Sequence, residues 1–177
     1  MASFRITKAG MADLPAVSAL YDAVNDHLAV TVNYPGWKKG VYPNEETARQ
    51  GLEQNCLFAA WQGDALAGTM ILNHIAAPGY AEVDWKVNLP ESQVLLVHTL
   101  AVHPGFRGQG VASRLLEFAL EYARQSGARA VRLDVSQGNL PAIALYERFG
   151  FARMDIRDLG YDPGSDELFC LYQKLLG

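Results

Sequence analysis

The stretch from His98 to Leu116, HTLAVHPGFRGQGVASRLL, constrains the fold of this chain more than any other segment. Its apolar start is typical of a buried strand, which a turn rich in Pro and Gly connects to a helical pattern. The N-terminus of a helix presents N–H groups that have no intrahelical acceptor, and its dipole favours negative charge. The segment therefore predicts a strand–turn–helix unit that offers a site for an anion.

The composition is that of a globular protein with a hydrophobic core. Half of the 177 residues are hydrophobic and 19% are charged, so we expect a single domain over residues 1–177. The net charge of −4 gives no reason to expect nucleic acid or a membrane as a partner. The apolar runs are shorter than the ~20 residues of a membrane span. The first ten residues resemble a strand rather than a signal peptide, so we expect a cytoplasmic protein.

The cysteines give no sign of a disulfide or of a metal site. Cys56 and Cys170 lie far apart in apolar surroundings and lack the spacing of a zinc site, so we expect reduced core cysteines. The chain also has no HExxH motif or similar ligand set. We therefore expect no metal cofactor.

The hydrophobic pattern predicts an α/β fold with a mixed sheet of about seven strands and about four helices. Strands are expected near residues 3–8, 56–62, 65–76, 93–102, 129–135, 150–158 and 167–175, and helices at 13–27, 44–54, 108–126 and 139–149. Residues 30–43 and 77–92 are predicted to be loops rich in aromatic residues. The central strand–helix–strand succession predicts a right-handed βαβ unit with parallel strands.

The glycine turn alone leaves several interpretations open. A P-loop is disfavoured because no Lys follows the glycines. A dinucleotide-binding turn would use Gly108 and Gly110, with Ser113 in place of the third glycine and Asp134 in place of the ribose-binding acid. Only 43 residues follow Asp134, which is too few for the rest of a doubly wound domain. A strand–helix connection without a ligand is the third interpretation.

A second segment, NLPAIALYERFGF at residues 139–151, narrows this choice. Asn139 is a predicted helix N-cap, and Gly150 is a predicted helix stop. The apolar residues between them recur at helical spacing: Ala142, Leu145, Tyr146 and Phe149. This helix follows the second strand of the βαβ unit, and Phe151 begins a further strand.

The two segments together resemble the GNAT superfamily of acyl-CoA-dependent N-acetyltransferases. The turn of that family, Arg/Gln-x-x-Gly-x-Gly/Ala, is matched by Arg107, Gly110 and Ala112. Its second motif is matched by Asn139, Ala142, Leu145–Tyr146 and Gly150–Phe151. The resemblance is strongest over residues 93–151, and the N-terminal half matches only in the order of its elements.

The resemblance implies that acetyl-CoA is the co-substrate. The family's cofactor-binding residues correspond here to Leu100, Ala101, Val102, Arg107, Gly108, Gln109, Gly110, Val111, Ala112, Ser113, Asn139, Ala142 and Tyr146. Residues 107–113 would surround the diphosphate with backbone amides, since glycine allows close approach. The pantetheine arm would lie along the backbone of residues 100–102, where an N–H near Leu100 could also stabilise the oxyanion.

The same resemblance implies direct attack by a primary amine on the thioester, with Tyr146 protonating the departing thiolate. His98 is the candidate general base. It lies two residues before Leu100 and would share its face in a regular strand. A core histidine is the alternative for His98, and Glu82 and Asp84 are alternative bases.

The acceptor is expected to be a small-molecule or peptide amine, bound by a monomer or a homodimer. Four aromatic residues of the two loops are candidate acceptor contacts or, as an equal alternative, a small core beneath the loops: Trp37, Tyr42, Tyr80 and Trp85. Glu82 and Asp84 could attract a cationic amine, although both are also typical surface carboxylates. A non-catalytic acyl-CoA sensor and a nicotinamide-dinucleotide enzyme are the alternative functions.

Overall fold

The structure is a computed structural model that describes residues 3–177. Within this range it contains seven strands and four α-helices. The strands are β1 (Arg5–Lys8), β2 (Leu57–Gln62), β3 (Ala65–Asn73), β4 (Val94–Val102), β5 (Ala130–Ser136), β6 (Ala152–Arg157) and β7 (Phe169–Leu175). The helices are α1 (Leu14–Ala29), α2 (Glu45–Glu53), α3 (Val111–Gln125) and α4 (Leu140–Arg148).

The strands form one mixed sheet in the order β1-β2-β3-β4-β5-β7-β6. This order confirms the predicted α/β fold with a mixed sheet. The predicted ends are wrong by a few residues at two elements. Strand β3 stops at Asn73, and α3 begins at Val111 rather than at residue 108. The later start of α3 has a local cause, because Gly108 and Gly110 adopt left-handed φ values of 74° and 82°, which a right-handed helix does not contain.

The chain divides into two compact units. The first comprises the described part of Met1–Leu72 together with Val97–Leu120, and the second comprises Asn73–Leu96 together with Glu121–Gly177. The single domain expected from the length stays a prediction. Each unit has its own buried cluster and is described separately.

In the first unit, α1 and α2 contribute to one apolar cluster with residues of β2 and β3. Helix α2 begins as predicted, because the Asn44 side chain accepts a hydrogen bond from the Thr47 N–H at 3.0 Å. The Asn44 N–H donates in turn to the Thr47 hydroxyl at 3.2 Å, which completes a reciprocal cap. Strands β2 and β3 pair antiparallel across the predicted turn, in which Gly63 has a φ of 59°.

Gly68 of β3 is where α3 and β4 come closest to the hairpin. A Cβ at this position would lie 2.8 Å from Val111 Cγ1 and 2.9 Å from the Ala101 carbonyl oxygen. Only a residue without a side chain fits this contact. The first turn of α3 can therefore lie this close to β3 only because Gly68 has no side chain.

In the second unit, the start of β4 pairs parallel with β5, joining Val94–Leu96 to Ala130–Arg132. This pairing confirms the predicted parallel strands. Strand β7 runs antiparallel to both β5 and β6. The predicted loop after β3 is held by two 3₁₀ turns, and its Tyr80 and Trp85 are buried in the core of this unit.

Cys56 and Cys170 are both buried free thiols, as the sequence predicts. Within residues 3–177, no helix combines the length and the hydrophobicity that crossing a membrane requires.

The contact at Gly68 predicts a loss of stability in Gly68→Ala. The added methyl group would overlap Val111 and a backbone oxygen, so we expect the free energy of unfolding to fall by about 1–3 kcal/mol. Gly138→Ala is the matched control, because its Cβ would meet no atom within 4 Å. Urea unfolding of both variants tests this, and equal midpoints for Gly68→Ala and the wild-type protein would contradict it.

Candidate functional site

The glycine turn before α3 leaves open space beside its backbone. Gly108 and Gly110 are exposed, and a Cβ built on either would meet no atom within 4 Å. The first backbone hydrogen bond of α3 runs from the Arg114 N–H to the Gly110 carbonyl at 3.0 Å. The N–H groups of Val111 and Ala112 precede that bond, so they have no intrahelical acceptor. The turn therefore has both the space and the donors that an anionic group needs.

Two side chains of the turn already have protein partners. The Arg107 guanidinium donates a hydrogen bond to Nε2 of His27, and the Gln109 amide donates to the Gly105 carbonyl at 3.2 Å. His103 accepts from the Gly105 N–H at 3.0 Å through Nδ1. His103 thus orders the turn, and His27 connects the turn to α1.

Strand β4 departs from regular geometry at Thr99, whose φ is 48°. This left-handed value is rare for a β-branched residue. Burial nevertheless alternates at this point, since His98 and Leu100 are half-buried whereas Thr99 and Ala101 are buried, which agrees with a shared face for His98 and Leu100. His98 is half-buried, and its role as a base stays a prediction.

The hydroxyl of Tyr42 is hydrogen-bonded to the hydroxyl of Thr99. The loop that carries Tyr42 is anchored to α1, because the Asn25 amide donates to the Pro43 carbonyl at 3.1 Å. Trp37 packs edge-on against Tyr42, with ring centroids 5.8 Å apart. The structure thus brings two of the predicted acceptor residues together and connects them to the irregular point of β4.

Helix α4 carries the second motif. The Asn139 side chain accepts from the Ala142 N–H at 3.4 Å and so caps the helix. Tyr146 is the buried residue of this helix, whereas Ala142, Leu145 and Phe149 are only half-buried. The Tyr146 ring lies edge-on to Phe151, with ring centroids 6.0 Å apart, and its centroid is 6.5 Å from that of Tyr172.

Burial raises the pKa of Tyr146 above its usual value, and the negative charge of Asp134 raises it further. A phenol keeps its proton at neutral pH even without this shift, and the raised pKa makes Tyr146 a weaker acid than an exposed tyrosine. It can donate a hydrogen bond to a leaving group, but it cannot serve as a base.

The remaining predicted acceptor residues lie in the second unit, where Tyr80, Asp84 and Trp85 line one cavity of about 850 Å³. The Tyr80 hydroxyl donates to Asp134 at 2.6 Å, and the Trp85 ring nitrogen donates to the Tyr80 carbonyl at 2.9 Å. Asp134 also accepts from the Tyr161 hydroxyl at 3.1 Å. Asp134 therefore serves internal contacts, which is not the role that a dinucleotide site would give it.

Both acidic candidates already have basic partners. Asp84 forms an exposed salt bridge with Lys86, and Glu82 forms one with Arg157 at 2.6 Å. The Lys86 ammonium lowers the pKa of Asp84. Their predicted attraction for a cationic amine is therefore weakened at short range.

Arg132 on β5 is a residue that the sequence analysis missed. It is 9% exposed, lines the cavity and stacks on the Trp85 ring, with the guanidinium carbon 4.1 Å from the ring centroid. An arginine inside an otherwise apolar strand, AVRLDV, was the available signal. Across residues 3–177, no three side chains of His, Cys, Asp and Glu group into a possible metal site.

A model of the Acetyltransferase (GNAT) family matches residues 23–151, which is more than half of the chain. The chain belongs to this family. The match includes the glycine turn and the second motif, and thus the residues on which the resemblance was based.

Curated relatives match over shorter stretches. The streptothricin acetyltransferase of Streptomyces lavendulae is 38% identical over 89 residues, which are 50% of this chain and 46% of that protein. The N-alpha-acetyltransferase RimI of Mycobacterium tuberculosis is 41% identical over 75 residues, or 42% of this chain and 46% of that protein. The chain thus spans less than half the length of these relatives.

A solved structure supports the fold over nearly the whole chain. The acetyltransferase yncA of Salmonella typhimurium, determined with its cofactor acetyl-CoA, has a TM-score of 0.69 at 17% identity. The alignment covers 98% of this chain and 94% of that one. At this level of identity the likeness concerns the fold alone.

The buried tyrosines predict a loss of stability in alkaline solution. Burial raises the pKa values of Tyr21, Tyr80 and Tyr146 and that of Tyr172 to about 12. In the unfolded chain a tyrosine titrates near about 10. Above that pH the unfolded state binds fewer protons, so the stability present at neutral pH is lost as the pH rises toward the folded-state values.

Urea unfolding between about pH 8 and about pH 11 measures this loss. We expect the midpoint to fall above about pH 10, and to fall less steeply in Tyr172→Phe. A midpoint that is constant across this range, or an identical slope in the variant, would show that these phenols titrate normally in the folded state.

Proposed function

We propose that this protein transfers an acetyl group from acetyl-CoA to a primary amine. The observation that carries the proposal is the open glycine turn at the N-terminus of α3, which occupies the family's cofactor motif. The buried, protonated Tyr146 in the second motif supports it. Both features belong to the stretch that the family model matches, and each has a chemical use in the reaction.

The diphosphate of acetyl-CoA fits the turn on physical grounds. The amides of residues 108–113 lie at a helix start, and the positions beside Gly108 and Gly110 are open. Arg107 adds positive charge, although its guanidinium also binds His27. We assign Gly108, Gln109, Gly110, Val111, Ala112 and Ser113 to this subsite, with the backbone of Leu100, Ala101 and Val102, together with Asn139 and Ala142, next to the pantetheine arm.

In the proposed reaction, the amine nitrogen attacks the thioester carbonyl carbon and forms the amide bond as the carbon–sulfur bond breaks. The electron pair of that bond goes to sulfur, and the Tyr146 hydroxyl gives its proton to the thiolate. His98, or water in contact with it, removes the proton that the amine loses. Tyr42 positions β4 through its contact with Thr99.

The acceptor is a small-molecule or peptide amine. The relatives include a streptothricin acetyltransferase and an N-alpha-acetyltransferase, and these names support both classes as candidates. We propose Trp37, Tyr42, Tyr80, Glu82, Asp84 and Trp85 as acceptor contacts, and a monomer or a homodimer as the working form. The two free thiols support a reducing, cytoplasmic location.

The glycine turn predicts a loss of cofactor affinity in Gly110→Ala. The methyl group would enter the space reserved for the diphosphate and strain a residue with a φ of 82°, so we expect the Kd for acetyl-CoA to rise at least about tenfold, or 1.4 kcal/mol. Gly127→Ala is the matched control, because its φ is 80° and its surroundings are equally open. Calorimetry would contradict the assignment if both variants bound acetyl-CoA like the wild-type protein.

The proton-donor role of Tyr146 predicts that Tyr146→Phe loses turnover but keeps cofactor binding. Release of CoA thiol from acetyl-CoA, measured across a panel of amines, should depend on the amine and fall by about 10²-fold or more in the variant. Tyr172→Phe is the control, since this neighbouring buried phenol binds Glu147 instead. Unchanged turnover in Tyr146→Phe would remove the proton-donor role, and acetyl-CoA binding without thiol release for any amine would favour a sensor.

A further inference from the structure

The cavity of the second unit contains a buried cation that acetyl transfer does not use. The cavity measures about 850 Å³ and lies between the loop after β3 and the strands β4 and β5. Its lining combines polar and apolar surface in similar amounts, and the apolar part includes Val83, Leu89, Val94 and Leu96. Arg132 is the charged residue on its inner wall, and its side chain reaches the cavity from the middle of β5.

The Arg132 side chain is held by two neighbours, Gln173 and Trp85. Its Nε donates to the Gln173 side-chain oxygen at 2.9 Å, and the Gln173 amide donates to the Trp85 carbonyl at 3.0 Å. The Trp85 ring covers one face of the guanidinium at 4.1 Å. These contacts engage Nε and one face, and they leave the two terminal nitrogens, with their paired N–H groups, as a fork.

Among residues 3–177, no carboxylate lies within the 4.0 Å of a salt bridge to Arg132. The described residues also offer no acceptor to its two terminal nitrogens. Asp134, two residues further along β5, accepts from the hydroxyls of Tyr80 and Tyr161 instead. Burial without a partner lowers the pKa of the guanidinium. A buried cation in this state is unfavourable unless an anion joins it.

We propose that this cavity binds a small carboxylic acid with an apolar body, whose carboxylate is held by the two terminal nitrogens of Arg132. The planar fork of a guanidinium matches the two oxygens of a carboxylate in a bidentate pair. The apolar part of the lining would cover the rest of the ligand, as in other small-molecule sites. The proposal concerns the second unit alone. Because Tyr80, Asp84 and Trp85 line the same cavity, an acid bound there would take the place of the amine that we assign to these three residues, and the charge preference measured below distinguishes the two ligands.

The other charges around the cavity do not change this preference. Asp84 and Lys86 form a salt bridge with side chains that are 72% and 71% exposed, so they are screened by solvent. Glu91 is also exposed. His74 uses Nδ1 for the Val94 carbonyl at 2.7 Å. A cationic ligand would be repelled by the positive charge of Arg132 at the inner wall, whereas a carboxylate would neutralise that charge.

Calorimetry on the full chain with phenylacetate and phenylacetamide tests the proposal. The two probes have similar shapes and differ in charge, so we expect phenylacetate to bind at least about tenfold more tightly. In Arg132→Gln this difference should disappear, whereas Arg124→Gln, which alters an exposed arginine of α3, should retain it. Equal affinities for the two probes in the wild-type protein, or an unchanged preference in Arg132→Gln, would overturn the proposal.

A second measurement keeps the test decisive if Arg132→Gln does not fold. Phenylacetate beside Arg132 should alter the fluorescence of the stacked Trp85. Trp85→Phe should therefore lose most of the phenylacetate-dependent signal, and Trp61→Phe should keep it, because Trp61 lies in the other unit and binds Thr7. A signal that survives in Trp85→Phe and is lost in Trp61→Phe would place the acid elsewhere and overturn the proposal.

Discussion

The first unit depends on the close approach of three elements at Gly68. Strand β3 meets the Val111 side chain and the Ala101 carbonyl there, at distances that exclude even a methyl group. This contact holds Val111, the first residue of α3, against β3. The glycine turn connects the end of β4 to that point. Its two left-handed glycines keep residues 108 and 110 out of the helix, and both are exposed.

The second unit depends on a different kind of contact, a chain of polar side chains beneath the loop after β3. This series of hydrogen bonds links Arg132 through Gln173 to the Trp85 backbone. It then continues from the Trp85 ring through Tyr80 to Asp134. A loop without regular hydrogen bonds needs such partners to stay buried. The aromatic residues of the loop therefore serve the core as well as the cavity wall, which combines the two interpretations that sequence alone could not separate.

The sequence predicted the order of the elements because its signals are local. The cap at Asn44, the hairpin at Gly63 and the apolar face of α3 each depend on a few neighbouring residues. The same holds for the two motifs, which are contiguous. The left-handed Thr99 and the unpaired Arg132 were not predicted, since each is defined by partners distant in sequence, Tyr42 in one case and Trp85 and Gln173 in the other. The alternation of side chains in β4 carries no sign of the left-handed backbone at Thr99, because burial alternates through this residue.

The charged residues around the cavity of the second unit also differ between what the sequence suggests and what the fold shows. The acidic residues of the loop after β3 suggested a site for a cationic amine. In the fold, Asp84 is paired with Lys86 and Glu82 with Arg157, so their fields largely cancel at short range. Among the described residues that line the cavity, the buried charge is that of Arg132 on β5, and it is positive. Because an unscreened buried charge outweighs paired charges at the surface, Arg132 rather than the net charge decides which ligands this cavity favours.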